Sequence, residues 1–365
     1  RSSDLSSPAR SSFTPLAKIE TMLDALVASE GEPDLVQISG GEPTLHPDFF
    51  AILDAVRARP IRHVMINTNG LRIAREPDFV AKLAANKRGL EVYLQFDSLK
   101  REALVNLRGA DLRKIRQQAL ENLERYGVST TLVATIKRGV NDAEIGDIIR
   151  HALTWKCVRG VTLQPVQDAG RNEAFNKDTD RIMLSEIRQR VIETGVFGDK
   201  DMIPLPCNPE SVSIGYGLRS GDKVLPLTSL IPQEQLVAVM PNTISPEKYP
   251  VLREKFVDLF SLSSGPLNTS ERVCELLCCL PSFEVPEGLT YENVFRVTIV
   301  QFLDRFNFCV GNVKRSCIHF VTESGAIIPF DTYNLFYRDG KIDGIRASLA
   351  GQTYREARQG EEVPR

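Results

Sequence analysis

The stretch Leu35-Val-Gln-Ile-Ser-Gly-Gly-Glu-Pro43 is a short apolar run that ends in two glycines, a carboxylate and a proline. Runs of this length, rich in branched residues and bounded by glycine and proline, are typical of buried strands. Before it, from Leu16 to Leu26, apolar residues recur at the 3.6-residue spacing of a helix, and Gly31 ends that pattern. Helices that alternate with buried strands indicate an α/β protein.

The alternation continues to about Cys207, and connections of a few residues join the elements. A right-handed crossover at each step curls such a sheet toward an open or closed barrel. The predicted strands are Leu35–Ser39, His63–Asn67, Glu91–Phe96, Thr130–Ile136 and Val161–Pro165, and the helical patterns cover about 47–58, 76–87, 110–127, 142–155 and 181–195.

The sequence changes character after Pro204. Prolines, glycines and short extended runs such as Val224–Leu227 replace the alternation, and 316–329 reads as a β-hairpin with a glycine-containing turn. We therefore expect a barrel domain at 1–203, an α+β accessory domain at 204–350 and a loose charged tail at 351–365.

Composition restricts the class of protein. Hydrophobic residues make up 42% of the 365 residues and charged residues 25%, which fits a globular protein with a sizeable core. The formal net charge of −2 gives no basic field for nucleic acid. No run approaches the roughly 20 apolar residues of a membrane span, and no signal peptide opens the chain. The sequence predicts a cytoplasmic protein with no nucleic-acid partner and no membrane span.

Polar residues follow each of the five predicted strands. The carboxyl ends of parallel strands share one edge of a sheet, where such folds bind ligands, so these residues are expected to form one site. Glycines let a ligand approach the backbone, and amides and carboxylates suit ribose hydroxyls and an amino-acid group. The candidate binding residues are Ser39, Gly40, Gly41, Glu42, Pro43, Asn67, Asn69, Gln95, Asp97, Thr135, Asn141 and Gln164.

Local backbone chemistry offers a second explanation for several of these residues. Gly40-Gly41 also fits a tight turn between strand and helix, and Asn69-Gly70 fits an Asx turn that caps the next helix. Asn141 or Asp142 fits a helix N-cap, which is the favoured interpretation for Asp142.

The ordered set of strand ends resembles the radical S-adenosylmethionine (SAM) enzymes. Ser39-Gly-Gly-Glu-Pro43 resembles the GGE motif after the second strand of that family, which holds the methionine amino group of SAM. Asn67-Thr-Asn-Gly70, Gln95-Phe-Asp-Ser98, Asn141 and Gln164-Pro165 resemble its later cofactor-side elements. The resemblance implies a partial (β/α)6 TIM-type barrel whose first strand is missing from this sequence.

In that family a CxxxCxxC loop binds three irons of a [4Fe-4S] cluster, and the fourth iron chelates SAM. Arg1 to Gly40 contains no cysteine, so we expect these ligands upstream of residue 1. The resemblance also implies a reductant such as ferredoxin or flavodoxin.

The second half resembles the group that contains archaeal tetraether lipid synthase and the pterin-methylating radical SAM enzymes. Members of that group carry extra iron-sulfur clusters, so Cys207, Cys278, Cys279 and Cys317 become candidate ligands of an auxiliary cluster. Buried free thiols are the alternative. The segments that carry the resemblance are Pro206-Cys-Asn-Pro209, Cys278-Cys-Leu-Pro281, Tyr291-Glu-Asn-Val-Phe-Arg296, Lys314-Arg-Ser-Cys-Ile-His-Phe320 and Ile328-Pro-Phe-Asp-Thr-Tyr-Asn334.

The implied reaction splits SAM into methionine and a 5′-deoxyadenosyl radical, which abstracts hydrogen from a substrate. Methylation or C–C bond formation on a small-molecule substrate that is pterin-like, or on a lipid, would follow. The alternative is an inactive SAM-binding or structural remnant that lacks the cluster loop. No residue of this sequence is assigned a catalytic role.

Overall fold

The computed structural model of the protein describes residues 13–169, 175–229, 232–239, 293–338 and 340–349. Two candidate metal ligands, Cys278 and Cys279, lie outside these residues, as does the predicted tail at 351–365. Among the described helices, none has the length and apolarity needed to cross a bilayer.

Helices and strands alternate through the first half of the chain, as the sequence predicts. All five predicted strands and the helices between them are confirmed, with ends displaced by a few residues at most. The elements are α1 (Leu16–Glu30), β1 (Leu35–Ile38), α2 (Phe49–Arg57), β2 (His63–Thr68), α3 (Leu71–Arg75), α4 (Pro77–Ala85), β3 (Leu90–Gln95), α5 (Arg101–Arg108), α6 (Arg113–Tyr126), β4 (Thr130–Ile136), α7 (Ile145–Leu153), β5 (Val158–Pro165), α8 (Lys177–Asp180) and α9 (Leu184–Glu193).

Short strands dominate the described part of the second half. The predicted hairpin is confirmed, because β10 and β11 pair antiparallel through Phe320 and Ile328. The elements are β6 (Met202–Pro204), β7 (Val212–Ser220), β8 (Lys223–Pro226), α10 (Gln233–Val239), β9 (Val294–Val300), α11 (Val310–Lys314), β10 (His319–Val321) and β11 (Ile327–Pro329), followed by helical turns at Phe330–Thr332 and Tyr333–Tyr337 and a helix at 341–349.

Within the part of the chain that the structure describes, nine strands form one mixed sheet in the order β1-β2-β3-β4-β5-β9-β7-β6, with β8 paired to β7. Strands β1 to β5 and β9 are parallel to their neighbours, whereas β7 runs antiparallel to β9, β6 and β8. The protein is therefore α/β with a largely parallel sheet. The predicted domain boundary after residue 203 falls inside β6, and strands from both sides of it share this sheet, so the division into domains stays a prediction.

The contact between β5 and β9 requires a glycine. Gly160 of β5 lies opposite Arg296 of β9. A Cβ atom at Gly160 would lie 2.4 Å from the Arg296 carbonyl oxygen, closer than packed atoms approach. Any larger residue would push the two strands apart.

One face of the sheet packs against the helices and holds the main hydrophobic core. Alternate residues of each strand contribute to it, as the two-residue period of a strand requires. Fully buried members of this core include Leu53, Ile66, Leu94, Leu120, Leu132, Leu163, Phe197 and Phe295.

A buried ion pair crosses the other face. Arg296 Nη2 lies 2.5 Å and 2.6 Å from the carboxylate oxygens of Glu91, and 3.2 Å from Thr131 Oγ1. Glu91 on β3 and Arg296 on β9 are three strand positions apart, about 14 Å in a flat sheet. Side chains stand roughly perpendicular to a sheet, so this contact requires the sheet to curve toward that face.

Charge compensation keeps Glu91 ionised. Burial alone would raise the pKa of the Glu91 carboxyl, but Arg296 and the Thr131 hydroxyl outweigh burial and hold its pKa below the ordinary value. Either charge without the other would be buried without compensation.

The hairpin β10–β11 joins the end of β9 to α1. At its base the Phe330 amide donates to the Ile318 carbonyl at 2.9 Å, and Asp331 Oδ1 accepts from the Leu303 amide at 2.8 Å. At its tip Glu323 pairs with Lys18 of α1. The hairpin therefore connects the loop after β9 with α1, the helix that precedes β1.

We expect Arg296→Met to lower the free energy of unfolding by about 3 to 5 kcal/mol, because it leaves Glu91 buried and unpaired. The double variant Glu91→Leu/Arg296→Met, in which both charges are removed, should recover most of that loss. Urea unfolding at pH 7 measures both values. Equal losses in the single and the double variant would contradict this account.

Candidate functional site

The predicted binding residues lie along one edge of the sheet. Strands β1 to β5 and β9 all end there, and β6 ends there too because β6 and β9 are both antiparallel to β7. We call this edge, with the loops that leave it, the carboxyl edge. Parallel sheets bind ligands at this edge, where loops from successive strands converge.

The Gly40-Gly41 turn leaves β1 with positive φ angles of 105° and 49°. Such angles favour glycine over any residue with a Cβ atom. A Cβ atom at Gly40 would meet nothing within 4 Å, so the backbone here borders open space. A ligand therefore has room to approach the backbone at Gly40.

Glu42 joins the loops that follow β1 and β2. Its Oε1 accepts from the hydroxyls of Thr44 and Thr68, each at 2.6 Å, and its Oε2 accepts from the Asn69 amide at 2.7 Å. Glu42 also precedes the 3-10 turn Pro43–Leu45, where the fixed φ of proline suits the first position. Glu42 as a residue is partly exposed, and Oε2 accepts one of these bonds, so this oxygen has capacity for a further one.

Leu94 and Arg116 pack closely against the Asn69-Gly70 turn. Asn69 Oδ1 accepts from the Leu71 amide at 2.9 Å, which is the Asx turn left open as an alternative. Gly70 has φ 77°, and a Cβ atom there would lie 2.5 Å from Leu94 Cδ1. Arg116 of α6 donates to the Asn69 carbonyl oxygen.

A row of hydrogen bonds crosses the ends of the first three strands. Asn67 Nδ2 lies 3.5 Å from Ser39 Oγ, and Gln95 Nε2 donates to Asn67 Oδ1 at 3.2 Å. Arg108 Nη1 then donates to Gln95 Oε1 at 3.3 Å. Ser39 is exposed and Asn67 partly exposed, so this end of the row is open to a ligand.

Asp97 is fully buried in an ion pair with Arg108 of α5. Its carboxylate accepts from Arg108 Nε at 2.6 Å and Nη2 at 2.7 Å, and from the Thr135 amide at 3.1 Å. Burial alone would raise the pKa of Asp97, but Arg108, Arg116 and the Thr135 amide together hold it below the ordinary value. The carboxylate therefore fixes the loop after β3 instead of facing open space.

Nothing in the sequence indicates that Arg108 is part of the site. An arginine in the last turn of a helix usually faces solvent near the negative end of the helix dipole. Here its side chain is only 8% exposed and pairs with the fully buried Asp97 carboxylate. Asp97 itself has φ 65°, an uncommon value for a residue other than glycine.

Asn141 ties the ends of β3 and β4 together. Its Nδ2 donates to the carbonyl oxygens of Asp97 and Thr135, both at 2.8 Å, and its Oδ1 accepts from the Lys137 amide at 2.9 Å. The N-cap prediction for Asp142 is wrong. Its Oδ1 accepts from the Gly139 amide of the preceding turn, and its Oδ2 pairs with Arg190 of α9.

Gln164 contacts a buried tyrosine on the curved face. The Tyr93 hydroxyl bonds to Thr162 and Gln164, and burial raises the pKa of Tyr93 to about 12. Tyr93 is therefore a neutral hydrogen-bonding group at any physiological pH. The sequence did not point to it, since tyrosine is common in strands.

Two candidate metal ligands meet at this edge. The Sγ atoms of Cys207, in the loop after β6, and Cys317, just before β10, are paired as a disulfide. Cys157 is buried and Cys309 exposed, and both are free. In the described ranges no group of three or more histidine, cysteine, aspartate or glutamate side chains is arranged to hold a metal ion.

Residues 6–152 match the model of the Radical SAM superfamily. The chain is 28% identical over 358 residues to 7,8-dihydro-6-hydroxymethylpterin dimethyltransferase of Methanocaldococcus jannaschii, covering 88% of this chain and 70% of that protein. It is 24% identical over 156 residues to GTP 3′,8-cyclase of Synechocystis sp., covering 42% of this chain and 46% of that protein.

Mycofactocin maturase MftC of Mycobacterium ulcerans is 33% identical over 112 residues, which cover 31% of this chain and 29% of that protein. This chain thus spans less than half of the cyclase and of the maturase. The matched region contains the Gly40-Gly41 turn, Glu42 and the ends of β1 to β4. Residues 6–152 are therefore similar to the domain that defines the radical SAM superfamily, and the relatives that match this chain are named as enzymes.

Proposed function

We propose that the carboxyl edge binds SAM, and that the protein uses a [4Fe-4S] cluster to cleave SAM to methionine and a 5′-deoxyadenosyl radical. The radical would abstract hydrogen from a pterin-like small molecule, and a separate one-carbon donor would supply the methyl group that replaces it. The observation that carries this proposal is the partly exposed residue Glu42, close in the chain to Gly40, which borders open space. An ammonium group binds well between a carboxylate and peptide carbonyls, and the turn leaves room for it. The cofactor and its cluster supply the radical chemistry when they are bound.

The predicted residues divide into two groups under this proposal. Ser39 and Asn67 present hydroxyl and amide groups that suit the ribose and the amino-acid carboxylate of SAM, and the buried Gln95 orients the Asn67 amide. Asp97, Thr135 and Asn141 are buried and bonded to one another, so they position the loops. Rigid support of this kind holds binding groups in place without reorganisation on binding.

The proposed substrate and reaction outcome rest on a match that covers most of this chain. The relative with coverage of 88% of this chain is named a pterin dimethyltransferase, which favours methylation of a pterin-like molecule over reaction on a lipid. Ferredoxin or flavodoxin would supply the electron. The reducing cytoplasm would suit such chemistry, because thiols stay available as metal ligands there.

The cysteines separate into two proposed iron sites. The sequence contains no CxxxCxxC run, so ligands of the SAM-binding cluster are proposed upstream of residue 1. After a dithiol reductant has reduced their disulfide to two thiolates, Cys207 and Cys317 are proposed to bind an auxiliary cluster together with Cys278 and Cys279. In support of this, the sulfurs of Cys207 and Cys317 already lie together at the carboxyl edge, although the two residues are 110 positions apart.

A partial (β/α)6 barrel is the proposed form of the curved sheet. The contact between Glu91 and Arg296 across three strand positions supports it, as does the hairpin that reaches α1. A barrel interior would exclude water from the radical, which limits side reactions.

The full-length protein, reconstituted anaerobically with iron and sulfide and reduced with dithionite, should convert SAM to 5′-deoxyadenosine. Chromatography of the reaction mixture measures this product. Reconstituted protein that binds SAM but forms no 5′-deoxyadenosine would support the inactive SAM-binding remnant and contradict the proposed reaction.

Glu42→Gln should weaken SAM binding by about 10- to 100-fold, because the ammonium loses a charge-assisted hydrogen bond. Equilibrium dialysis measures the affinity. Glu124→Gln is the matched control: Glu124 also accepts a backbone amide, from Cys157 at 2.6 Å, but at the opposite edge of the sheet. Equal losses in both variants would argue against a specific contact with Glu42.

Cys207→Ser and Cys317→Ser should each lower the iron content of the reconstituted protein, because each removes a proposed thiolate ligand. Cys309→Ser, at an exposed free cysteine, should leave the iron content unchanged. Iron analysis and the visible absorption of the cluster measure the effect. Unaltered iron in the first two variants would contradict the auxiliary site.

A further inference from the structure

Arg116 is a buried cation beside the proposed SAM site. It lies on α6 and is 2% exposed. Its Nη1 donates to the Asn69 carbonyl, but its Nε and Nη2 have no hydrogen-bond partner within the described part of the chain. A guanidinium carries five N–H donors, so most of its capacity is unused.

Packing does not account for an arginine at this position. The neighbours on the same face of α6, Ala119, Leu120 and Leu123, are fully buried and apolar. A buried charge with unsatisfied donors is costly, and an apolar residue of similar volume is often as stable or more stable. Asn122, the other polar residue on this face, is explained by its bonds to the Ile73 and Ala74 carbonyls.

Electrostatics explain how the charge persists. Burial lowers the pKa of Arg116 to about 10, and Arg108 acts in the same direction, whereas Asp97 and Glu42 oppose them. Arg116 therefore stays charged at neutral pH. Asp97, which also pairs with Arg108, is the stronger of the two opposing charges, and Glu42 is the weaker.

A chain of contacts leads from Arg116 to Glu42. Arg116 holds the carbonyl of Asn69, and the amide of the same residue donates to Glu42 Oε2 at 2.7 Å. Thr68 continues the contact, because its hydroxyl donates to Glu42 Oε1 at 2.6 Å and accepts from the Gly70 amide at 3.1 Å. Arg116 thus supports the Asn69-Gly70 turn at the Asn69 carbonyl, and the same turn holds Glu42 at the Asn69 amide.

We infer that Arg116 is a positioning residue for the amino-acid end of SAM: it fixes the Asn69-Gly70 turn so that Glu42 presents its open side to the ammonium group. This inference rests on the proposed function. Helix α6 does not border the open part of the site. Through Arg116 it nevertheless controls how the amino-acid end of SAM binds.

The test separates the two ends of the ligand. SAM carries the amino-acid group, whereas 5′-methylthioadenosine shares its adenosine and lacks that group. Arg116→Met should weaken SAM binding by about 10- to 100-fold, as for loss of a hydrogen bond to a charged group, and leave binding of 5′-methylthioadenosine unchanged. Arg116→Lys keeps the charge but not the planar fork, so its loss for SAM should be smaller.

Arg219→Met is the matched control. Arg219 is also buried and donates to backbone carbonyls, those of Leu153, Trp155 and Val158, but at the opposite edge. It should keep the wild-type ratio of the two affinities. Circular dichroism checks the folding of each variant, and Arg116→Lys decides the question if Arg116→Met does not fold.

An unchanged ratio of SAM to 5′-methylthioadenosine affinity in the folded Arg116 variants would overturn the positioning role, whether or not the protein is destabilised. A loss of affinity by the same factor for both ligands is one form of this result, and it would point to a general structural defect. Wild-type protein that binds no SAM would instead refute the proposed function itself, and the inference with it.

Discussion

The ion pair between Glu91 and Arg296 joins parts of the chain that are 205 residues apart. It crosses the curved face of the sheet and ties β9 to β3, so β5 and β9 are held as neighbours. That placement brings the loop after β9, and with it the hairpin β10–β11, to the carboxyl edge. The position of Cys207 after β6 depends on this arrangement, because a sheet that lost β9 would lose the strand that connects β5 to β7 and β6.

At the carboxyl edge, the residues that hold the loops in place are different from the residues that are open to a ligand. Asp97, Arg108 and Asn141 are buried and satisfy one another, which makes the loops after β3 and β4 rigid. Glu42 and Ser39 lie at the open end beside a turn of two glycines. Buried polar networks that are fully satisfied specify one geometry, and they do so most effectively next to groups that must bind a ligand without rearrangement.

The two halves of the chain converge on this edge by different routes. The first half reaches it through parallel strands, which all end there by topology. The second half reaches it through β6, β9 and the hairpin, and so brings Cys207 and Cys317 together. An iron site proposed from the sequence and a SAM site proposed from the sequence therefore share one edge of one sheet.

The sequence by itself determined β1 to β5, the hairpin and the Gly40-Gly41-Glu42 turn, because each depends on local periodicity or on the backbone freedom of glycine. It missed Arg108 and Arg116, which look like ordinary helical arginines, and it favoured a capping role for Asp142 that the structure replaces with bonds to Gly139 and Arg190. Only the tertiary structure decided that Val294–Val300 enters the sheet beside β5. Its partners, Glu91 and Gly160, are far away in sequence, and no local pattern records a contact that forms only when distant strands pack.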